Sequence, residues 1–194
     1  MKRFPKLLML GMLCCLSTAV FAQKIKLQNG DLSVLEGQKE LNVEFTYDNL
    51  KVGKEDEADY VKRRTAEYNN KEAGKGDNWA KAWVDDRKNR FEPKFDELFN
   101  ENGDIKVGSY PSAKYTMVFH TTFIEPGFNV GVVRKNSYID AEVTIVETAS
   151  RKEVAKISID NAPGRMMGMD FDTGMRITES YAVSGKKLAK FVRK

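Results

Sequence analysis

Sulfur-containing and guanidinium side chains are concentrated in one glycine-rich segment near the C-terminus. Three methionines, Met166, Met167 and Met169, lie within four positions, and Arg165 and Arg176 flank them. Thioethers are soft ligands that suit Cu(I), whereas methionine also fills irregular apolar gaps in packed loops. Two arginines at this spacing could hold a phosphate or a carboxylate. We predict a binding surface that includes these five side chains, and we assign it neither a metal nor a cofactor.

Two tryptophans, Trp79 and Trp83, lie one helical turn apart in a segment with helical periodicity. Such a pair could form an aromatic platform for a sugar ring or a peptide. Aromatic side chains also dominate protein cores, so Trp83 could instead dock on a sheet while Trp79 covers the start of the helix. On the first interpretation both tryptophans are candidate binding residues.

His120 is the only histidine, and one imidazole without a cysteine partner cannot begin a three-histidine or Cys/His zinc site. No G-x-S-x-G motif supplies a nucleophile. Glu92 with Glu97, or Asp85 with Asp86, could form the acid pair of a glycosidase, but a charged amphipathic helix needs such residues for solvation as well. We therefore predict no catalytic residues. A cell-wall or glycan hydrolase that uses His120 or a helix carboxylate is the alternative.

The first 22 residues have the pattern of a secretory signal peptide. Lys2, Arg3 and Lys6 precede an apolar stretch, and small residues end it at Ala22. We predict cleavage after Ala22 and export to the periplasm or the extracellular space. Residues 23–194 contain no apolar run long enough to cross a bilayer. They are predicted to form a single domain without a transmembrane segment.

Removal of this leader changes the chemistry that remains. Both cysteines, Cys14 and Cys15, lie within it, so the exported chain has no thiol for a disulfide. Lipid attachment is disfavoured because the bulky Leu13 precedes Cys14. The leader also takes three of the 32 basic residues and no acidic one, which leaves 29 against 28 and lowers the net charge from +4 to +1. Nucleic-acid binding depends on neutralising phosphates, so we predict no nucleic-acid partner.

Hydrophobic periodicity predicts an α+β fold in the order β-α-α-β-β-β-α. The expected architecture is a mainly antiparallel sheet of four to five strands packed against two or three helices. Within it, Asp77 is the expected N-cap of the second helix, which Pro93 should kink or restart. The predicted elements are a small hairpin at 25–34 turning at Asn29-Gly30, strands at 41–47, 115–124, 139–145 and 154–159, and helices at 55–71, 77–102 and 177–192.

Segments 137–159 and 176–190, with the glycine-rich loop between them, resemble secreted or lipid-anchored envelope proteins of unknown function from Gram-negative bacteria. Their fold is similar to the α/β module of the curli-secretion channel family and of lipoproteins that activate cell-wall synthases. The resemblance covers roughly the C-terminal 80 residues, and its motifs are structural, so it implies no catalytic residues. The segment 60–83 looks like an addition to the helical layer of that module.

These observations predict a non-enzymatic adaptor or binding module of the cell envelope, with an envelope protein or a glycan as its partner. A module of this kind would present a sheet edge, the methionine-rich loop or the 60–83 region. An exposed apolar patch at such a place would support binding.

Overall fold

The computed structural model describes residues 23–164 and 172–193. Within these residues, no helix is both long and apolar enough to cross a membrane. In chain order the elements are β1 (Lys24–Gly30), a 3-10 turn (Leu32–Leu35), β2 (Glu40–Thr46), β3 (Lys51–Val52), β4 (Glu55–Asp56), α1 (Glu57–Asn69), α2 (Lys75–Asp86), a π turn (Arg87–Phe91), α3 (Glu92–Asn102), β5 (Lys106–Gly108), β6 (Tyr115–Glu125), β7 (Phe128–Asn129), β8 (Arg134–Lys135), β9 (Ser137–Glu147), β10 (Glu153–Gly164) and α4 (Thr173–Val192).

Eight of these strands form one mixed sheet. Its main path is β1-β10-β9-β6-β2-β5, while β3 pairs with β6 beyond the end of β2, and β4 pairs with β3. The β1, β10, β9 and β6 neighbours are antiparallel, whereas β2 and β3 run parallel to β6 and β5 runs parallel to β2. Parallel neighbours need a crossover connection, and the helices between β4 and β5 supply it. The predicted α+β class is confirmed, in a sheet with more strands than predicted.

One face of the sheet packs against the helices. A row of apolar side chains crosses it from Ile157 through Val143 and Phe119 to Phe45, each on a neighbouring strand. The ring of Phe45 lies 5.4 Å from that of Phe95 on α3. Burial of such side chains removes apolar surface from water and is the main favourable term in folding. Strand β6 lies between β9 and β2 and is a central strand of this sheet.

The opposite face of the sheet is polar and carries ion pairs between strands or their connections. Arg151 donates to Glu44 at 2.7 Å, and Lys156 lies 2.8 Å from Glu142. All four side chains are substantially exposed, so each pair adds little to stability. This face is therefore solvated in the isolated chain.

The predicted hairpin at 25–34 is wrong. Strand β1 continues through Gly30, paired antiparallel with β10, and a 3-10 turn follows instead of a returning strand. Gly30 has a φ of +82° and its Cα lies against the backbone of Val154, where a Cβ would clash. The Asn29-Gly30 pair thus ends an edge strand with a close backbone approach, and the side chain of Asp31 caps the turn after it.

The second helical region begins earlier than the sequence predicts, and it is interrupted where the sequence predicts. Helix α2 begins at Lys75, two residues before the predicted cap Asp77, and the side chain of Asn69 accepts a hydrogen bond from the Gly76 N–H at 2.7 Å. Pro93 lies in the first turn of α3, directly after the π turn. Proline has no N–H to donate to the preceding turn, so the interruption lies where Pro93 predicts it.

Helices α3 and α4 approach closely at Gly185. A Cβ at this position would lie closer to the carbonyl oxygen of Phe95 and the amide nitrogen of Phe99 than van der Waals contact allows. Both phenylalanines are fully buried and belong to the main core. The helix backbones therefore touch, and the absence of a side chain at Gly185 sets their separation.

Replacement Gly185→Ala should destabilise the protein by about 1–3 kcal/mol, because the new methyl group overpacks the α3–α4 contact. An alanine in an open helix interior would instead add up to about 1 kcal/mol of stability through its higher helix propensity. Chemical denaturation measures the difference. A matched control is Gly174→Ala in the same helix, where the methyl group would meet the movable side chains of Asp86 and Arg90. A more stable Gly185→Ala variant would contradict the assigned contact.

Candidate binding cleft

Four aromatic rings hold α1 against α2. Tyr60 lies 5.2 Å from Trp83 and 5.9 Å from Trp79, measured between ring centroids. Trp79 lies 5.7 Å from both Trp83 and Tyr68. Trp83 and Tyr60 are buried, while Trp79 is half-buried. The predicted tryptophan pair is thus part of a packed aromatic cluster, in which Trp83 serves the core and Trp79 and Tyr68 remain partly accessible.

Two arginines of α1 lie over the rings of this cluster. The Arg64 guanidinium is 4.6 Å from the Tyr68 ring centroid, and the Arg63 guanidinium is 5.4 Å from that of Tyr60. Carboxylates hold both arginines in place, because Glu67 accepts from each of them and Glu55 accepts from Arg63. These hydrogen bonds raise the pKa of Arg63 further above its usual value. A guanidinium over an aromatic ring is attracted by the negative face of the ring, so these contacts also hold the arginines in place.

A cleft of about 550 Å³ opens beside these arginines. Its walls are α1, the turn between β3 and β4, the segment after β6 and the start of α4. The described residues that line it include four cationic side chains, Lys54, Arg63, Arg64 and Arg176, and two carboxylates, Glu55 and Glu125; aromatic and apolar walls come from Tyr60, Tyr68, Phe128 and Val130. The cleft is therefore positively charged and partly aromatic.

Arg176, a predicted binding residue, forms the base of this cleft and is almost fully buried. Its guanidinium donates to the carbonyl oxygens of Pro126 at 3.2 Å and Gly127 at 3.3 Å, and to Thr173 Oγ1 at 3.0 Å. These oxygen atoms help to satisfy the buried guanidinium, because a buried charge is costly unless it is hydrogen-bonded. Arg176 thus ties the turn after β6 to the start of α4, and its positive charge lies at one wall of the cleft.

A second, smaller cleft of about 280 Å³ lies on the other side of the aromatic cluster. Trp79, Trp83 and Tyr68 line it together with an acid-base-acid array, in which Arg90 lies 3.2 Å from Asp86 and 3.3 Å from Asp172. Burial raises the pKa of Asp86, against the lowering effect of Arg90. Tyr68 lines both clefts, so the cluster forms a wall between them.

A partly buried carboxylate connects the aromatic cluster to the sheet. Glu57 at the start of α1 accepts from Trp83 Nε1 at 2.7 Å and from Arg87 in the π turn. The Arg87 guanidinium also lies 4.2 Å from the ring centroid of Tyr47, just after β2. Desolvation is the main cause that raises the pKa of Tyr47. One carboxylate thereby fixes the positions of α1, α2 and the sheet relative to one another.

Replacement Glu57→Ala should lower the free energy of unfolding by about 2 kcal/mol, because it leaves Arg87 and the Trp83 N–H without their acceptor in a partly buried place. Tryptophan fluorescence should report a changed environment of Trp83. Glu67→Ala on the same helix is the control, since Glu67 is more exposed and its loss should cost less than about 1 kcal/mol. Equal effects of the two variants would argue against the role assigned to Glu57.

The residues proposed for hydrolysis do not gather in one cleft. His120 Nε2 lies 2.8 Å from the backbone oxygen of Asp48. Glu92 is buried, and it accepts from Tyr47 at 3.3 Å and from Lys88 at 2.7 Å. The other helix carboxylates are placed separately: Glu97 pairs with Lys94, Asp85 pairs with Lys81, and Asp86 lines the smaller cleft. Of these side chains, only Asp86 therefore lines either of the two clefts.

Asp96 on α3 is a partly buried carboxyl group with a strongly raised pKa. Burial, assisted by the charge of Glu92, raises the pKa of Asp96 to about 6, and its buried Oδ1 has no hydrogen-bond partner among the described residues. A folded-state pKa above the unfolded one means that the folded state binds the proton more tightly. Acidification from pH 8 through pH 6 should therefore relieve a destabilising charge at this position.

Replacement Asp96→Asn should stabilise the protein by about 1 kcal/mol at pH 8, because the neutral amide has no charge to desolvate and water still screens part of the wild-type charge. The gain should shrink as the pH falls through 6 toward 4, where the wild-type carboxyl group is protonated in the folded state and then in the unfolded state. Thermal melts across this pH range measure the effect. A gain that does not change with pH would show that the charge of Asp96 is not its cause.

Four predicted binding residues, Arg165, Met166, Met167 and Met169, lie outside the described residues, so their role stays a prediction. In the part of the chain that the structure describes, no group of three or more histidine, cysteine, aspartate and glutamate side chains could hold a metal. That finding does not bear on thioether ligands.

The sequence predicted the 60–83 region as a candidate binding surface but did not single out Tyr60, Arg63, Arg64 and Tyr68, which line the larger cleft. Their signal was a basic-aromatic pattern at helical spacing, since Tyr60, Arg64 and Tyr68 follow one another four residues apart.

Comparisons with known proteins give no family for this chain. No protein-family model matches, and no curated protein matches. Among solved structures, two of the PelC dodecamer from Paraburkholderia phytofirmans are similar at 11% identity and a TM-score of 0.42; they cover 88% and 89% of this chain and 99% and 98% of PelC. A DUF330 protein from Xanthomonas campestris matches 80% of this chain and 83% of its own length at 9% identity and a TM-score of 0.38.

These likenesses are too distant to carry an argument about function. The chain is defined by its own features as an α+β protein with a mixed sheet, helices on one face and a positively charged, partly aromatic cleft. The resemblance to curli-secretion and synthase-activating proteins is not among the structural matches reported, and it stays a prediction.

Proposed function

We propose that this chain is a non-enzymatic, exported binding module of the bacterial envelope and that its larger cleft binds an acidic glycan. Export rests on the leader sequence, which ends at Ala22. The observation that carries the proposal is the cleft itself, in which four cationic side chains and two carboxylates lie beside tyrosine rings.

The cleft offers an aromatic ring for the apolar face of a sugar and a guanidinium group for its carboxylate. Tyr68 presents a partly accessible ring, and aromatic rings pack against the apolar faces of sugars. Arg64 is already positioned over that ring and hydrogen-bonded to its hydroxyl at 2.6 Å. Guanidinium groups bind carboxylates with paired, charge-assisted hydrogen bonds. A fixed arginine loses less conformational freedom when it binds, so the site needs little rearrangement.

The alternative ligand for this cleft is a protein partner, because a cleft of the same composition also suits an acidic peptide.

The hydrolase alternative has one observation in its favour. Asp86 has a pKa raised by burial and lines the smaller cleft beside Trp79. Its neighbours there are Arg90 and a second carboxylate, Asp172, which describes a salt-bridged array more closely than an acid facing a nucleophile across a substrate.

A binding experiment with defined oligosaccharides tests the proposal. A trisaccharide of galacturonic acid should bind, and a neutral glucose trisaccharide should bind at least about tenfold more weakly, because only the first carries carboxylates for the arginines. Isothermal titration at low salt measures both. Tyr68→Ala and Lys54→Gln should each weaken binding of the acidic probe about fivefold or more.

Lys81→Gln is the matched control, since Lys81 is an exposed lysine on α2 that pairs with Asp85 and does not line the cleft. Its affinity should equal that of the wild type. Equal binding of both trisaccharides, or no loss in the cleft variants, would overturn the proposal. Release of reducing ends from the acidic probe, abolished by Asp86→Asn, would instead support the hydrolase.

A further inference from the structure

The connection between β6 and β9 carries an apolar tip that stands apart from the main sheet. Strands β7 and β8 pair with each other as a separate two-stranded sheet. We call residues 128–133 the hairpin tip. Its four large apolar side chains are all exposed: Phe128 is 42% exposed, Val130 66%, Val132 96% and Val133 54%. Four such side chains in six residues are unusual at the surface of a soluble domain.

The backbone of the hairpin tip satisfies much of its own hydrogen bonding. The Val130 N–H donates to the carbonyl oxygen of Val133 at 3.1 Å, and the Val132 N–H donates to that of Val130 at 3.1 Å. Asn129 Oδ1 accepts from the Gly131 N–H at 2.9 Å. Unpaired backbone groups are the main cost of placing a turn in an apolar medium. An internally bonded turn with valine side chains pays less of that cost on leaving water.

Positive charge surrounds the base of the hairpin. Arg134 and Lys135 form β8, directly after the tip, and Lys54 lines the same cleft as Phe128 and Val130. Glu125 pairs with Lys135 at 2.6 Å. An apolar tip with cations at its base matches the layered chemistry of an anionic lipid surface, in which negative headgroups lie above hydrocarbon.

The size and exposure of the tip also favour lipid over a protein partner. The hairpin tip has six residues, whereas a standard protein interface involves roughly 20–30 residues on each side. Val132 is 96% exposed, and an apolar side chain that enters a fluid needs no matching pocket. We propose that residues 128–133 insert into an anionic lipid surface, with Lys54, Arg134 and Lys135 at the headgroups. This surface shares Lys54, Phe128 and Val130 with the lining of the cleft, whereas Val132 and Val133 lie outside that lining.

Vesicle co-sedimentation tests this attachment with protein purified after expression of the full sequence. Vesicles of equal parts phosphatidylcholine and phosphatidylglycerol should bind the wild type. The double variant Val132→Asp/Val133→Asp should bind them about tenfold more weakly, because charged groups resist entry into hydrocarbon. Arg134→Gln should weaken binding about fivefold, and pure phosphatidylcholine vesicles should bind less than the mixed ones.

Val84→Asp is the matched control, because Val84 is 53% exposed, much like Val133, but lies on α2. It should bind the vesicles as the wild type does. Absence of wild-type binding, or equal losses in Val84→Asp and the hairpin variant, would overturn the proposal. So would a dimer in light scattering that only the hairpin variant dissociates, since the tip would then join two copies. Trisaccharide affinity should be unchanged in the hairpin variant, which separates this test from that of the cleft.

Discussion

The arrangement of this protein depends on the acceptance of two hydrogen bonds by one partly buried carboxylate. Glu57 lies at the start of α1 and holds Trp83 of α2 and Arg87 of the π turn, and Arg87 in turn lies on the Tyr47 ring at the edge of the sheet. A charge in such a place is stable only when its partners stay in position. The contact therefore helps to hold the aromatic cluster, and with it the α1 wall of the larger cleft, against the sheet.

The opposite wall has a different origin. Arg176 enters it from the start of α4 and holds the turn after β6 through carbonyl oxygens, while Gly185 seats the same helix against α3. The cleft therefore lies between an element fixed by a carboxylate and an element fixed by an arginine. Lys54, Arg63 and Arg64 also line the cleft, and Glu55 and Glu67 hold the two arginines, so their guanidinium groups meet a ligand in positions that are already fixed.

Local pattern was sufficient for much of the fold and for little of the site. Alternation predicted β2 and the central β6, and Pro93 predicted the break before α3, because these signals are contained in a few adjacent residues. The prediction of a hairpin turn at Asn29-Gly30 was wrong because Gly30 packs against the backbone of Val154, which is 124 positions away in the chain. Parallel pairing of β2 with β6 and the meeting of Tyr60 with Trp83 likewise depend on long-range contacts. Trp83 and Arg176 were predicted to bind a ligand because of their aromatic and guanidinium groups. Both are buried, because the ring packs in the core and the guanidinium holds a turn.

The π turn at 87–91 resets the helical phase between α2 and α3. One additional residue per turn shifts that phase by roughly 100°. Trp83 and Phe95 are twelve residues apart, which on a regular α-helix would place them roughly 120° apart, so the shift brings both rings onto the buried face. In evolutionary terms, the inserted residue and the aromatic positions on either side of it are constrained together, because loss of one residue from 87–91 would turn one of the two rings out of the core.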